Sequence, residues 1–130
     1  GEGNGGIIYP ELHYGRDALV GVALILTHMA KTGKKPTELR AGYPDYHISK
    51  NKIALSPQID VDKILAAMQE KYSAEQVNTI DGVKVDFENE WFHLRKSNTE
   101  PIIRIYTEST NTKAAEELAD RIKSEINAIT

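Results

Sequence analysis

Trp91-Phe92-His93-Leu94-Arg95-Lys96-Ser97-Asn98-Thr99-Glu100-Pro101-Ile102-Ile103-Arg104-Ile105-Tyr106 is the stretch whose reading decides the fold. Residues 91–94 and 102–106 are strand-like runs, so 97–100 reads as the turn that joins them. Alternation puts Phe92 and Leu94 on one face and Trp91, His93 and Arg95 on the other; beyond the turn, Ile103 and Ile105 alternate with Ile102, Arg104 and Tyr106. Trp91 reads as sheet packing and His93 as a satisfied surface histidine. The turn itself is dense in groups that hold an anion. Arg95 offers a planar fork of N–H donors, Ser97 and Thr99 offer hydroxyls, Asn98 an amide, and the turn backbone its own N–H groups. Arg104 lies close enough in sequence to add a second positive charge, although a surface salt bridge accounts for it equally well. Nothing in the turn is a base or a nucleophile, which makes it a binding loop. On composition alone, a polar hairpin whose Ser, Asn and Thr satisfy local backbone groups is the commoner origin of such a turn.

Upstream of this hairpin, Val83, Val85 and Phe87 alternate with charged residues, as in a strand with one buried face. Asp81-Gly82 supplies hairpin-turn chemistry between that strand and a short one over 77–80. Asp60 is placed to cap a helix whose apolar residues Val61, Ile64, Leu65 and Met68 recur at helical spacing. Asp60 and Asp62 are better read as a cap and a first-turn acid than as metal ligands. Residues 48–56 are strand-like, and Pro57 ends them. Asn111 or Thr112 caps the last helix, whose core face is Ala115, Leu118, Ala119, Ile122, Ile126 and Ile129. The expected class is α+β, with a four-stranded, mostly antiparallel sheet carrying two helices on one face.

The first third of the chain follows different rules. Gly1-Glu2-Gly3-Asn4-Gly5-Gly6 must turn tightly or approach a ligand closely, and Glu2 and Asn4 carry the groups that bind sugar hydroxyls. A flexible terminus is the plainer account of it. Asp17 caps a helix running to about Lys31 and closed by Gly33. Its residues 18–26 are all apolar or Gly, which predicts a helix buried nearly all round and too short to cross a bilayer. A second short helix is expected over 36–43. Neither helix has a sheet of its own to pack on. The expected organisation is therefore a remnant of a preceding domain over 1–46 and a complete domain over 47–130, in a chain cut from something longer.

Bulk properties set the outer limits. With 130 residues, 40% hydrophobic and 27% charged, the chain has the composition of an ordinary globular protein. A net charge of −3 argues against a protein that grips nucleic acid mainly through phosphates. The absence of cysteine removes disulfides and thiolate zinc sites.

The two loops together resemble those of the α-D-phosphohexomutases, the phosphoglucomutase and phosphomannomutase group that also includes phosphoglucosamine mutases. The glycine-rich start is similar to the family's sugar-binding loop, and Arg95 to Pro101 to its phosphate-binding loop. The sugar loop departs from the commonest family pattern, which has Ser at the place of Asn4 and His at the place of Gly6. The resemblance implies an enzyme that moves a phosphoryl group between the 1- and 6-positions of a hexose through a phosphoserine, a bisphosphorylated intermediate and Mg²⁺. It assigns Arg95, Ser97, Asn98 and Thr99, with Arg104, to the phosphate that is not transferred, and Glu2 and Asn4 to the sugar. Neither the family's serine setting nor its metal loop is in this sequence, so Mg²⁺ ligands are expected elsewhere in the full enzyme and the chain alone is expected to be inactive. The implied partners are a hexose phosphate and the other domains of the same enzyme, with no nucleic acid and no membrane, in the cytoplasm. The competing reading is a non-catalytic α+β module that binds nucleic acid or protein.

Overall fold

The computed structural model describes residues 1, 5–56, 59–97 and 99–129. They divide into two compact units, Gly1–Pro44 and Asp45–Thr130.

In the first unit Asp17 starts α1 (Ala18–Thr32), its carboxylate accepting from the backbone N–H groups of Leu19 and Val20 at 2.8 and 3.1 Å. Gly33 ends it in the left-handed region, at φ 66°, donating its N–H to Met29 O at 2.8 Å. The segment before it is tied back where Asp17 N–H donates to Ile7 O at 2.8 Å. A short α2 (Pro36–Ala41) follows, with Pro36 in its first turn and Glu38 accepting from Lys35 N–H at 2.7 Å. One expectation fails here. The helix predicted to be buried nearly all round buries none of its residues, and Leu19 is 80% exposed. The physical reason is that the unit's only described β pairing is the isolated bridge between Tyr9 and His13, so it has no sheet to receive the helix.

The second unit is one antiparallel sheet of β1 (His47–Ala54), β2 (Gln76–Asn78), β3 (Val83–Asp86), β4 (Trp91–Lys96) and β5 (Ile102–Ser109), in the order β1-β5-β4-β3-β2. It therefore has five strands rather than the expected four, and all its pairings are antiparallel. The short strand expected over 77–80 is present, shifted to 76–78, and with the four longer strands it brings the total to five. The Asp81-Gly82 turn folds it back so that Val77 pairs with Val85, and the strand stops where the Asn78 side chain takes the Ile80 N–H at 2.9 Å.

Two helices, α3 (Val61–Lys71) and α4 (Thr112–Ile129), cover one face. The core joins Ile64 and Met68 of α3 and Leu118, Ile122 and Ile126 of α4 to Val83, Val85, Phe92, Leu94, Ile103 and Ile105 of the sheet. Each is an inward position of its strand or stripe, as the alternation requires. Asp60 caps α3, accepting from Asp62 N–H at 3.0 Å, and Asn111 rather than Thr112 caps α4, accepting from Ala114 N–H at 2.9 Å. Ile129, expected on the core face, is 41% exposed, one turn beyond the last buried position, Ile126. The predicted strand end at Pro57 lies outside the described residues; pairing stops at Ala54, although Leu55 N–H still reaches Pro101 O at 2.9 Å. Thr107, fully buried, donates its hydroxyl to Ala115 O at 2.7 Å and so fixes α4 on β5.

Candidate functional site

Within the second unit, α3 and α4 both lie on the core face of the sheet, and the side chains that face away from the core, on the opposite face, are mostly polar. Strand alternation places Trp91, His93 and Arg95 of β4 on it, together with Arg104, Tyr106 and Glu108 of β5. Trp91 is half-buried there, its indole N–H donating to Glu108 at 2.8 Å with the Lys84 ammonium 5.0 Å over its ring. It packs on the sheet surface.

The β4–β5 connection is closed by Ser97 N–H donating to Ile102 O at 3.1 Å. Its tip is shaped by the Ser97 hydroxyl oxygen, which accepts from Thr99 N–H at 3.4 Å and Glu100 N–H at 3.3 Å. These are long bonds, so the two amides are only loosely engaged. Ile102 N–H returns to Glu100 O at 2.8 Å, bending the chain around Pro101. Ser97 and Thr99 thus stand in the loop as expected, and both loop amides face the Ser97 oxygen. Asn98 lies outside the described residues.

Arg95 and Arg104 are direct cross-strand partners, and Lys52 of β1 is the partner of Arg104. Three cations therefore form one row across three strands at the mouth of the loop. Like charges set opposite each other in a sheet destabilise it, so the row is a local cost to folding. One carboxylate offsets part of it: Asp81 Oδ2 lies 2.8 Å from Arg95 Nη2, in a pair whose side chains are 43% and 62% exposed for Arg95 and Asp81. The guanidinium is paired but not buried. Among the described residues, Arg104 and Lys52 lie in no ion pair within 4.0 Å, so the surface salt bridge that would account for Arg104 is not formed. They line a shallow hollow of about 350 Å³ with Lys50, Asn51, Glu100, Ile102 and Tyr106. Lys96, next to Arg95, is engaged elsewhere, at 2.7 Å from Asp62 in the first turn of α3.

Lys52 and Asp81 are the members that sequence reasoning missed. Asp81 was legible only as a turn residue, and Lys52 drew no reading of its own, because their meeting with the loop depends on strand order.

Glu2 and Asn4 lie outside the described residues. Further along the same segment, Gly5, Gly6, Ile7, Arg16, Asp17 and Ala18 line a separate open hollow of about 440 Å³. Asp17 is held below the usual carboxylate range, first by the Val20 backbone N–H and then by His13, whose Nε2 lies 3.1 Å away. Among the described residues, no group of three or more His, Asp or Glu side chains could hold a metal ion. The described residues thus offer no ligand set that fits Mg²⁺. No helix among the described residues is long and apolar enough to cross a membrane.

A family model described as "Phosphoglucomutase/phosphomannomutase, C-terminal domain" matches residues 50–125, and one described as "Phosphoglucomutase/phosphomannomutase, alpha/beta/alpha domain III" matches residues 1–46. A phosphoglucosamine/phosphogalactosamine mutase of Sulfurisphaera tokodaii is 40% identical over 124 residues, which are 94% of this chain and 27% of that protein. A phosphoglucomutase/phosphomannomutase of Thermococcus kodakarensis is 37% identical over 119 residues, 90% of this chain and 26% of that one. Among solved structures, a phosphoglucomutase/phosphomannomutase family protein of Burkholderia thailandensis superposes with a TM-score of 0.67 at 25% identity, over 98% of this chain and 27% of its own. The chain thus spans about a quarter of the length of the relatives it matches.

Proposed function

We propose, for a chain that belongs to the phosphoglucomutase/phosphomannomutase family, that it is the substrate-binding C-terminal portion of a mutase interconverting hexose 1-phosphates and hexose 6-phosphates. In that reading a phosphoserine on another part of the enzyme donates to the sugar, a bisphosphorylated intermediate turns over, and this portion holds the phosphate that is not moving. The observation that carries it is the arrangement around Arg95: a guanidinium on an open sheet face, beside Arg104, at the mouth of a loop whose Thr99 and Glu100 amides are only weakly engaged. Such a set can neutralise and orient a phosphate and cannot move a proton, so its contribution is positioning. Holding the far phosphate lets remote binding energy act on the reacting end. Ser97 organises the loop amides, Asn98 and Thr99 complete the cradle, and Glu2 and Asn4 contact sugar hydroxyls. The chain by itself is inactive, because it lacks the family's serine setting, and Mg²⁺ belongs with residues outside this chain.

A phosphorus NMR titration of the 130-residue chain with glucose 1-phosphate and glucose 6-phosphate tests the site, with Arg95→Ala as control. Loss of binding in Arg95→Ala is the expected result. Equal affinity in both proteins defeats the assignment, and affinity for RNA that falls steeply with salt supports the nucleic-acid reading in its place. Turnover of glucose 1-phosphate by the chain alone would contradict its inactivity.

A further inference from the structure

We propose that Asp81 is a positioning residue for the anion site, holding the Arg95 guanidinium ready for a phosphate; this rests on the reading of Arg95 given above. Two features of the turn support it. Asp81 is clamped against the strand that carries Arg95: its carbonyl oxygen accepts from His93 Nε2 at 2.5 Å. The next residue, Gly82, sits at φ 80° with its backbone so close to β4 that an added Cβ would lie 2.0 Å from Leu94 O. The backbone that carries the carboxylate is therefore held against the two residues that precede Arg95, and the carboxylate meets Nη2 at 2.8 Å.

Charge gives the contact its direction. Arg104, opposite Arg95 on β5, repels the guanidinium, while Asp81 attracts it. One carboxylate oxygen on one nitrogen of the fork leaves further N–H groups for a ligand. A pair this exposed adds little to stability, so its consequence lies in ordering a long side chain before the ligand arrives. Simple electrostatics predicts the reverse effect on binding, since a carboxylate beside an anion site opposes the anion. The two accounts differ in sign.

Asp81→Ala and Asp81→Asn in the 130-residue chain decide between them, with glucose 6-phosphate as the probe and the Arg95 side-chain Nε–Hε resonance followed by heteronuclear NOE. The expected result is that Asp81→Ala weakens binding about two- to tenfold, the range for one long side chain whose ordering is no longer prepaid. The Arg95 NOE falls with it, the melting temperature hardly moves, and Asp81→Asn, which keeps an acceptor oxygen, recovers part of both signals. Unchanged or tighter binding in Asp81→Ala, or an unchanged Arg95 NOE, overturns the inference while leaving the site reading in place. No binding by the unmodified chain overturns the site reading and this inference with it.

Discussion

Arg95 and Arg104 face each other as cross-strand partners on the sheet face opposite α3 and α4, with Lys52 next in the same row. Opposed like charges of this kind cost a sheet about 0.2–1 kcal/mol relative to neutral pairs. Arg104→Gln is expected to stabilise the chain by an amount in that range, seen as a higher urea midpoint, and at the same time to weaken hexose phosphate binding. A destabilised variant with unchanged affinity would show that Arg104 serves packing alone.

The turn at Gly82 tolerates no side chain. Gly82→Ala combines a positive φ with a steric clash against the Leu94 carbonyl, and each effect costs about 1–3 kcal/mol. Urea unfolding should show a loss of about 2–5 kcal/mol. The Arg95 resonance should shift as well, because the same turn carries Asp81.

Tyr72 links α3 to α4, its hydroxyl donating to Glu125 at 2.9 Å while its ring meets Phe92 edge-on at 5.0 Å. Burial, and then the Glu125 carboxylate, push its pKa up to about 12. The unfolded chain releases this proton near pH 10. The stability this group contributes is therefore full below about pH 10 and is lost as the pH rises through about 12. Subtracting the 295-nm alkaline titration of Tyr72→Phe from that of the unmodified chain isolates one tyrosine, with a midpoint near 12 as the expected value. The decline in stability across that window should be shallower in Tyr72→Phe.

Burial separates two apolar residues that look alike in the sequence. Phe92 is fully buried and Leu19 is 80% exposed. Phe92→Ala should cost about 3–5 kcal/mol in urea unfolding, by lost burial and the cavity left behind. Leu19→Gln should stay within about 0.5 kcal/mol in this chain. A large loss from Leu19→Gln would mean that α1 has a covering surface within these 130 residues.

Much of this was legible in the chain. Asp17, Asp60 and Gly33 announce helix ends because caps depend on the nearest few residues, and Val83, Val85, Phe92 and Leu94 announce a buried face because strand alternation is a local rule. The short strand before the Asp81-Gly82 turn was legible, but its bounds were not: it spans 76–78 and not 77–80, because the Asn78 side chain takes the Ile80 N–H and ends the pairing. The exposure of α1 was misread for a different reason. An apolar run shows that a helix suits a covered environment, and says nothing about whether this stretch of chain provides one.

The sequence by itself determined the α+β class, the caps of α1 and α3, the inward faces of the strands and the donor-rich turn after Arg95, since all of these follow from neighbours a few residues apart. Only the tertiary structure decided that Lys52 stands beside Arg104 and that Asp81 holds Arg95. Those meetings depend on strand order and register. Both are settled by how all five strands and two helices bury their apolar faces together, which no single stretch encodes.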